Sequence, residues 1–593
     1  MHKILLFIML FWSVVSFGQN ELLAKNYFEQ GDYEKAKLVY EKLYAENPNN
    51  LNTMLSLVET YQQMEAFVKA EAILKEKLEQ PQPAPQLFVV LGNLYALQNR
   101  EAEKQIAYKK AIASIDINPA YSYAVGGTFE KFTLLDEAII VYEKAMAIDP
   151  KRDFSYQLAR IYGEQGKLKE MFSKYLNLMQ SNVAYKSTAQ RNFSIYIAED
   201  PTNEANIILR KLLLEKLQDN PDILYNQLLS WLFIQQKEYK KAFTQEKAIY
   251  KRTQEDLNGV AELAVIALND EAYEDASEML NFLIENSNTA EAKLQGEQYL
   301  MKIALKTGKP EDFPKIKQQF EALLETYGRN QQTYLLQIDY NHFLGFDLKK
   351  PNDAITNLKQ LLEENLTDYQ EARVKMELSD ILVFQEKFNE ALIYYSQIQT
   401  RVKSDVLAQE ARFKVARTSY FKGDFLWAQT QLDVLKKSAS QLIANDAMQL
   451  SLLIRDNSLE DSTQTALKKY ARADLLALQN KNTEAIRILE EILINHKGES
   501  IEDEAILKEG ELYEKGKQFN KAETDYLKLI AFFKDDILAD DAYYRLAKLY
   551  ENELNQPEKA IEYYEQLIFN FADSIYFVEA RKKFRMLRGD SIN

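Results

Sequence analysis

Cysteine is absent from the 593 residues of this chain. That excludes disulfide frameworks, thiolate zinc sites, iron–sulfur clusters and cysteine nucleophiles. Histidine is nearly absent: His2, His342 and His496 are all there is, and no HExxH zinc motif can be written with them. Gly 17 and Pro 12 together make up about 5% of the chain, against roughly 12% in average usage. An all-β protein of this length needs many Gly and Pro turns, so their scarcity points away from one. Positive charge is also in deficit, 73 Lys and Arg against 89 Asp and Glu, a net −16. A phosphate backbone would be repelled, which disfavours a nucleic-acid partner. What is present is 46% hydrophobic and 27% charged residues, the balance of a folded, soluble chain.

The first residues read as an address. Met1-His2-Lys3 is a basic start, Ile4 to Val15 is apolar except for Ser13, and Ser16-Phe17-Gly18 offers small residues at both key places of a cut after Gly18. This is the pattern of a secretory signal peptide. The run from Ile4 to Phe17 is shorter than the ~20 residues a membrane helix needs; the alternative is an uncleaved N-terminal anchor. The cysteine that a lipoprotein carries after its cut is missing. No other stretch approaches 18 apolar residues. The expected product is exported, periplasmic in a Gram-negative cell, with no stable membrane span after cleavage. A chain this long can build its own core without disulfides.

The remainder repeats one frame. Gly31-Asp-Tyr33-x-x-Ala36-x-x-x-Tyr40-x-x-Leu43-x-x-x-x-Pro48 returns as Leu135…Ala138…Tyr142…Ala145…Pro150, and later as Phe388…Ala391…Tyr395…Ile398 and Phe519…Ala522…Tyr526…Leu529. Anchoring on the small residue gives fifteen positions: Ala36, Ala70, Lys104, Ala138, Met171, Ala205, Ala242, Ala276, Ile316, Ala354, Ala391, Ala428, Ala485, Ala522 and Ala560. A second signal precedes many anchors, as in Leu91-Gly92-x-x-Tyr95, Leu158-Ala159-x-x-Tyr162 and Leu546-Ala547-x-x-Tyr550. Together these resemble the tetratricopeptide repeat, whose 34-residue period carries L-G-x2-Y and A-x3-F signals. The resemblance covers almost all of residues 21 to 587 and departs at Lys104, Met171 and Ile316. It implies an all-α fold, a right-handed superhelical α-solenoid of about fifteen helix hairpins. A lone hairpin cannot bury its apolar stripe, so neighbours must stack.

Changes in the period suggest the organisation. Steps are close to 34 up to Ala205 and mostly 37 to 40 after Ala276, and one step, Ala428 to Ala485, reaches 57. The surplus is enough for one more helix of ~15 residues, expected near Gln441 to Arg455, where an unpaired helix would break the stacking phase and let the chain bend. The expected parts are the signal peptide at 1–18, an N-terminal array at 19–222, a middle array at 223–438, an extra helix or hinge at 439–461 and a C-terminal array at 462–593. The C-terminal spacing of 37 and 38, at Ala505, Ala542 and Ala580, is similar to the repeats of outer-membrane assembly lipoproteins and of the periplasmic Tol-Pal coordinator.

Catalytic motifs do not assemble. His496 falls one period before Phe533 and two before Phe571, so it stands in for a packing aromatic; His342 falls inside a first helix. Gly163-Glu-Gln-Gly166-Lys167 lacks the phosphate-loop spacing and reads as an interhelical turn. Ser419-Tyr-Phe-Lys422 satisfies S-x-x-K without the companion S-D-N and K-T-G motifs. No cofactor, metal or catalytic residue is expected.

Partners are the remaining question. In tetratricopeptide proteins the first helices line a concave groove, and the resemblance places Asn93, Tyr156, Arg160, Phe413, Arg417, Tyr420, Tyr544 and Lys548 there. Aromatics with arginine are the composition of interface anchors. At the end of the chain Arg581, Lys582, Lys583, Arg585 and Arg588 lie mostly opposite Phe577, Ala580, Phe584 and Leu587 on a helix. This reads as a capping helix, or as a basic contact to anionic lipid or a partner. The function expected is a non-enzymatic scaffold binding other envelope proteins. The alternatives are a self-assembling structural protein and, third, a glycan- or peptide-processing enzyme.

Overall fold

The computed structural model describes residues 20–254, 257–403, 405–438, 440–458 and 463–590. The expected signal peptide lies outside the described residues. Among them are thirty-two α-helices, counting one at 20–29, and no strand. Helices pair into antiparallel hairpins that stack side by side, so the all-α solenoid expected from the repeat is what forms. The chain divides into two compact units, Met1–Gly259 and Val260–Asn593. In the first unit the hairpins include Gln86–Leu97 with Glu101–Ile117, Ser122–Lys131 with Leu135–Ile148, and Ser155–Glu164 with Leu168–Ser181. In the second they include Asp368–Phe384 with Phe388–Arg401, Val406–Lys422 with Phe425–Ser438, and Ala539–Asn552 with Pro557–Asn570.

A small anchor explains why twelve of the fifteen hairpins close; Lys104, Met171 and Ile316 hold the place in the other three. Every anchor is buried except Lys104, which is half-buried and pairs its Nζ with Glu101 at 2.7 Å. Four residues on, Tyr108, Tyr142, Tyr395, Tyr526 and Tyr564 are buried as well. These rings press on the first helix of the same hairpin. A Cβ built on Gly92, Gly126 or Gly510 would come within 2.3 to 2.7 Å of Tyr108, Tyr142 or Tyr526, so glycine there is set by close approach. A buried tyrosine usually partners its hydroxyl, though that of Tyr175, four residues after Met171, has no partner among the described residues. Tyr526 donates to Glu514 at 2.8 Å and Tyr564 to Glu551 at 2.7 Å. The tyrosines of the second signal reach back one hairpin: Tyr162 to Glu143 at 3.0 Å and Tyr550 to Glu523 at 2.6 Å.

The turn inside each hairpin has a fixed construction. In thirteen hairpins a left-handed residue stands five positions before the anchor, from Gly31 and Glu65 through Thr133, Lys237 and Glu386 to Asn555. Only Gly31, Gly166 and Gly423 among these are glycine. The hairpins anchored at Ala205 and Ile316 lack that residue; a loop ending at Asn203 and a 3-10 turn at Pro310–Asp312 take its place. The long step holds the additional helix Gln441–Asp456. Its Ala447 and Ile454 belong to one apolar core that runs from Leu294 to Leu512, so the core of the second unit passes through this helix without a gap.

Candidate functional site

In the second unit, consecutive first helices Tyr334–His342, Asp368–Phe384, Val406–Lys422 and Thr465–Leu478 touch one another, while the second helices between them spread further apart. That difference bends the stack toward the first helices and opens a hollow on their side. A cavity of about 650 Å³ lies there, walled by Phe346, Val383, Phe413, Phe421, Ile443 and Leu478, with His342, Asp380, Lys414 and Arg417 among its polar groups. The additional helix supplies Ile443 and Asp446 to the wall. On the other side, the helix ending at His342 continues as a π-helical turn, Phe343–Asp347. The turn stacks Phe346 on His342, ring centroids 4.6 Å apart, and local π turns are often found where a helix serves a site.

Charge on this face is ordered by the repeat. His342 Nδ1 meets Glu377 at 2.9 Å, Lys414 pairs with Asp380, Lys508 meets Asp474 at 3.0 Å, Arg545 pairs with Glu511, and Tyr576 donates to Asp541 at 2.7 Å. Each pair joins one first helix to the next, 34 or 35 residues on. The Glu377 hydrogen bond raises the pKa of His342. Burial works against the charge of Lys508, and Asp474 with Glu511 overcome it, so its pKa also rises. Burial, then Asp380, hold the Tyr395 hydroxyl far above its ordinary range. Arg417 is the exception in the cavity. It forms no ion pair among the described residues and lies 5.4 Å over the Phe421 ring, a cation on an aromatic wall.

The expected groove residues divide. Phe413 and Arg417 come together in the cavity. Tyr156 is exposed and sits edge-on to Tyr175, and Arg160 one turn away is held by Glu130 and Glu164. Asn93 is half-buried and Lys548 exposed, its Nζ 5.4 Å over Tyr544. Two expectations are corrected. Tyr420 is 0% exposed, closed over by Phe421 and Phe425, and Tyr544 is buried in a stack with Tyr576, centroids 4.2 Å apart. Neither side chain presents a surface to a partner. Of the basic tail, Arg581, Lys582 and Arg588 are exposed, Arg585 is half-buried and Lys583 meets Glu551 at 2.8 Å.

Sequence reasoning missed Asp380, Lys414 and the cavity role of His342. The signal that could have found them is opposite charge recurring 34 or 35 residues apart on first helices. His496 is a cap at the end of Asn482–Asn495, as Phe533 and Phe571 are for their helices. Gly166 is the left-handed residue of an interhelical turn, and Ser419 is buried. Among the described residues no group of three or more His, Asp and Glu is placed to hold a metal, and no helix is long and apolar enough to cross a membrane.

Tetratricopeptide-repeat family profiles match residues 27–88 and 541–574. The chain therefore carries tetratricopeptide repeats, units whose general work is to bind proteins. No curated protein matches it. Among solved structures, a chain of the APC/C hetero-tetramer Cut9-Hcn1 is similar over 98% of both chains, at 13% identity and a TM-score of 0.24. A chain of Naa15/Naa10 bound to HypK-THB is similar over 97% of this chain and 96% of that one, at 13% identity and a TM-score of 0.30. Superposition this loose carries nothing over about partners or activity.

Proposed function

We propose that this repeat-bearing chain is a non-enzymatic scaffold of the bacterial cell envelope that binds partner proteins along its first-helix face. The observation that carries the reading is the hollow around Phe413 and Arg417, where aromatic walls surround a guanidinium that forms no ion pair among the described residues. A desolvated pocket with an aromatic wall and an arginine is where interface energy concentrates. The charge ladder that runs through the cavity and on toward the C-terminus is mostly self-neutralised, which suits it to setting register rather than to turnover. The envelope part rests on the signal-like pattern of residues 1–18 and on the spacing of the C-terminal repeats, similar to those of outer-membrane assembly lipoproteins and the Tol-Pal coordinator.

The test is photo-crosslinking in the host from position 413, against position 426, where Leu426 is exposed on a second helix. A discrete heterologous adduct from 413, absent from 426 and weakened by Arg417→Glu, supports the scaffold. Adducts of the chain with itself support the self-assembling alternative, and equal labelling from both positions removes the groove from the account. Recovery of the protein in the cytoplasm with its first eighteen residues intact overturns the envelope assignment.

A further inference from the structure

The C-terminal hairpins expose bulky apolar side chains near the ends of their second helices and in the connections that follow. Phe533 and Phe571, the caps of their helices, turn inward, and Phe571 packs on Tyr543 at 5.4 Å. Their neighbours Phe532 and Phe569 turn outward and are 75% and 77% exposed. Ile575 and Val578 follow in the next loop and the first turn of helix Phe577–Arg588, at 79% and 78%. None of these four serves the core, and apolar exposure this clustered marks a contact surface.

The same helix carries the opposite chemistry to the rest of the chain. It holds five basic residues against the single carboxylate Glu579, in a protein of net charge −16. Ala580 is buried, with Phe584 and Leu587 packed against the preceding hairpin. The helical period then puts Val578, Arg581, Lys582, Arg585 and Met586 on the outward side. Glu579, the one carboxylate of the helix, is exposed on the flank beside Tyr544. Acidic residues stand in both loops, Asp535 and Asp536 beside Ile537 and the exposed Asp573 two residues before Ile575, so the attractive face is the basic side of helix Phe577–Arg588.

We infer that this face docks peripherally on an anionic lipid bilayer, with Phe569, Ile575 and Val578 entering the headgroup boundary and Arg581 and Lys582 facing lipid phosphates. Exposed apolar side chains beside basic ones suit an anionic interface, which takes up the first by burial and the second by charge. An acidic protein partner would instead need the anchors gathered in a pocket, whereas Phe532 and Phe569 stand on the second helices of successive hairpins. The inference is independent of the groove and of its partners.

The test is flotation of the full chain with vesicles of 30% phosphatidylglycerol in phosphatidylcholine and with vesicles of phosphatidylcholine alone. The apolar run at Ile4 to Val15 is common to every variant, so the difference between the two compositions reads the C-terminal face. Each exposed basic residue near an anionic surface is worth roughly fivefold in partition, so R581E/K582E should cost the anionic-specific binding at least about 25-fold. F569S/V578S should weaken it by about tenfold or more, and 0.5 M salt should weaken the wild type. Helicity by circular dichroism verifies that the variants fold. Equal binding to both compositions overturns the inference, as does R581E/K582E binding like wild type. Capture by polyglutamate without vesicle binding, or indifference to F569S/V578S, assigns the face to an acidic protein and equally overturns it.

Discussion

At the residue scale the decisive contact is a second-helix tyrosine pressed against a first-helix glycine. Gly126 and Gly127 are neighbours in one helix with opposite requirements. A Cβ on Gly126 would meet the Tyr142 ring at 2.5 Å, while one on Gly127 meets nothing within 4 Å. Gly126→Ala should lower stability by about 1 to 3 kcal/mol through overpacking, and Gly127→Ala should raise it by up to about 1 kcal/mol through helix propensity; thermal unfolding of the two variants checks the opposite signs. A buried carboxyl gives a second prediction. Burial, then Glu509, push Asp525 up to about 7, and its Oδ2 has no partner among the described residues. The folded state binds this proton more tightly than the unfolded chain, so stability falls as pH rises from about 4 through 7. Asp525→Asn should raise the unfolding temperature more at pH 8 than at pH 5. Single residues were also where the sequence misled. Tyr420 follows Phe413 and Arg417 by seven and three residues, so periodicity alone puts it on their face, but it sits near the helix end, where Phe421 and Phe425 close over it.

At the scale of one hairpin, the helices were legible and the turn was not. Alanine at the anchor is readable because it recurs there in twelve of the fifteen hairpins, where the partner helix comes close. The left-handed residue five positions earlier is hidden, since Glu65, Lys237, Glu386 and Thr133 give no chemical sign of a positive φ. Thr133 is the most strained of them, a β-branched residue at φ 58, where a non-glycine residue costs roughly 1 kcal/mol or more. Thr133→Gly should therefore raise the unfolding temperature, and Gly166→Thr, at φ 69, should lower it by a similar amount. Differential scanning calorimetry of the pair measures both. The cavity was illegible for a related reason. Its walls come from four first helices, the π turn at Phe346, Tyr395 of a second helix and the additional helix, and only the stacking angle brings them to one place. His342 shows the consequence. It reads as an ordinary first-helix residue until the next first helix brings Glu377 to it, 35 residues on. Its pKa is raised, so the pair's contribution is full below the ordinary histidine range and is lost as pH climbs through the shifted value. A ring-proton titration by NMR should place the midpoint above 6.5, and Glu377→Gln should bring it down.

At the scale of the whole molecule, the repeat sets how damage travels. In a stacked array stability is a sum of hairpin terms and nearest-neighbour interfaces, so a local fault weakens the adjoining hairpins most and distant ones least. The long core from Leu294 to Leu512 sharpens the question, because a globular core of that extent would fail as one. Ala391 is the place to ask it: the anchor of the hairpin Asp368–Phe384 with Phe388–Arg401, wholly buried, with first-helix neighbours on both sides. Ala391→Asp puts a charge where only a methyl group fits, a change on the order of several kcal/mol. Hydrogen exchange read by mass spectrometry should show protection lost across 368–401 and reduced in Pro351–Leu361 and Val406–Lys422. Protection in Ala539–Asn552 and Pro557–Asn570 should be unchanged. Uniform loss over the whole unit would mean that the hairpins fold as one cooperative block, and the neighbour-by-neighbour description of this array would have to be given up.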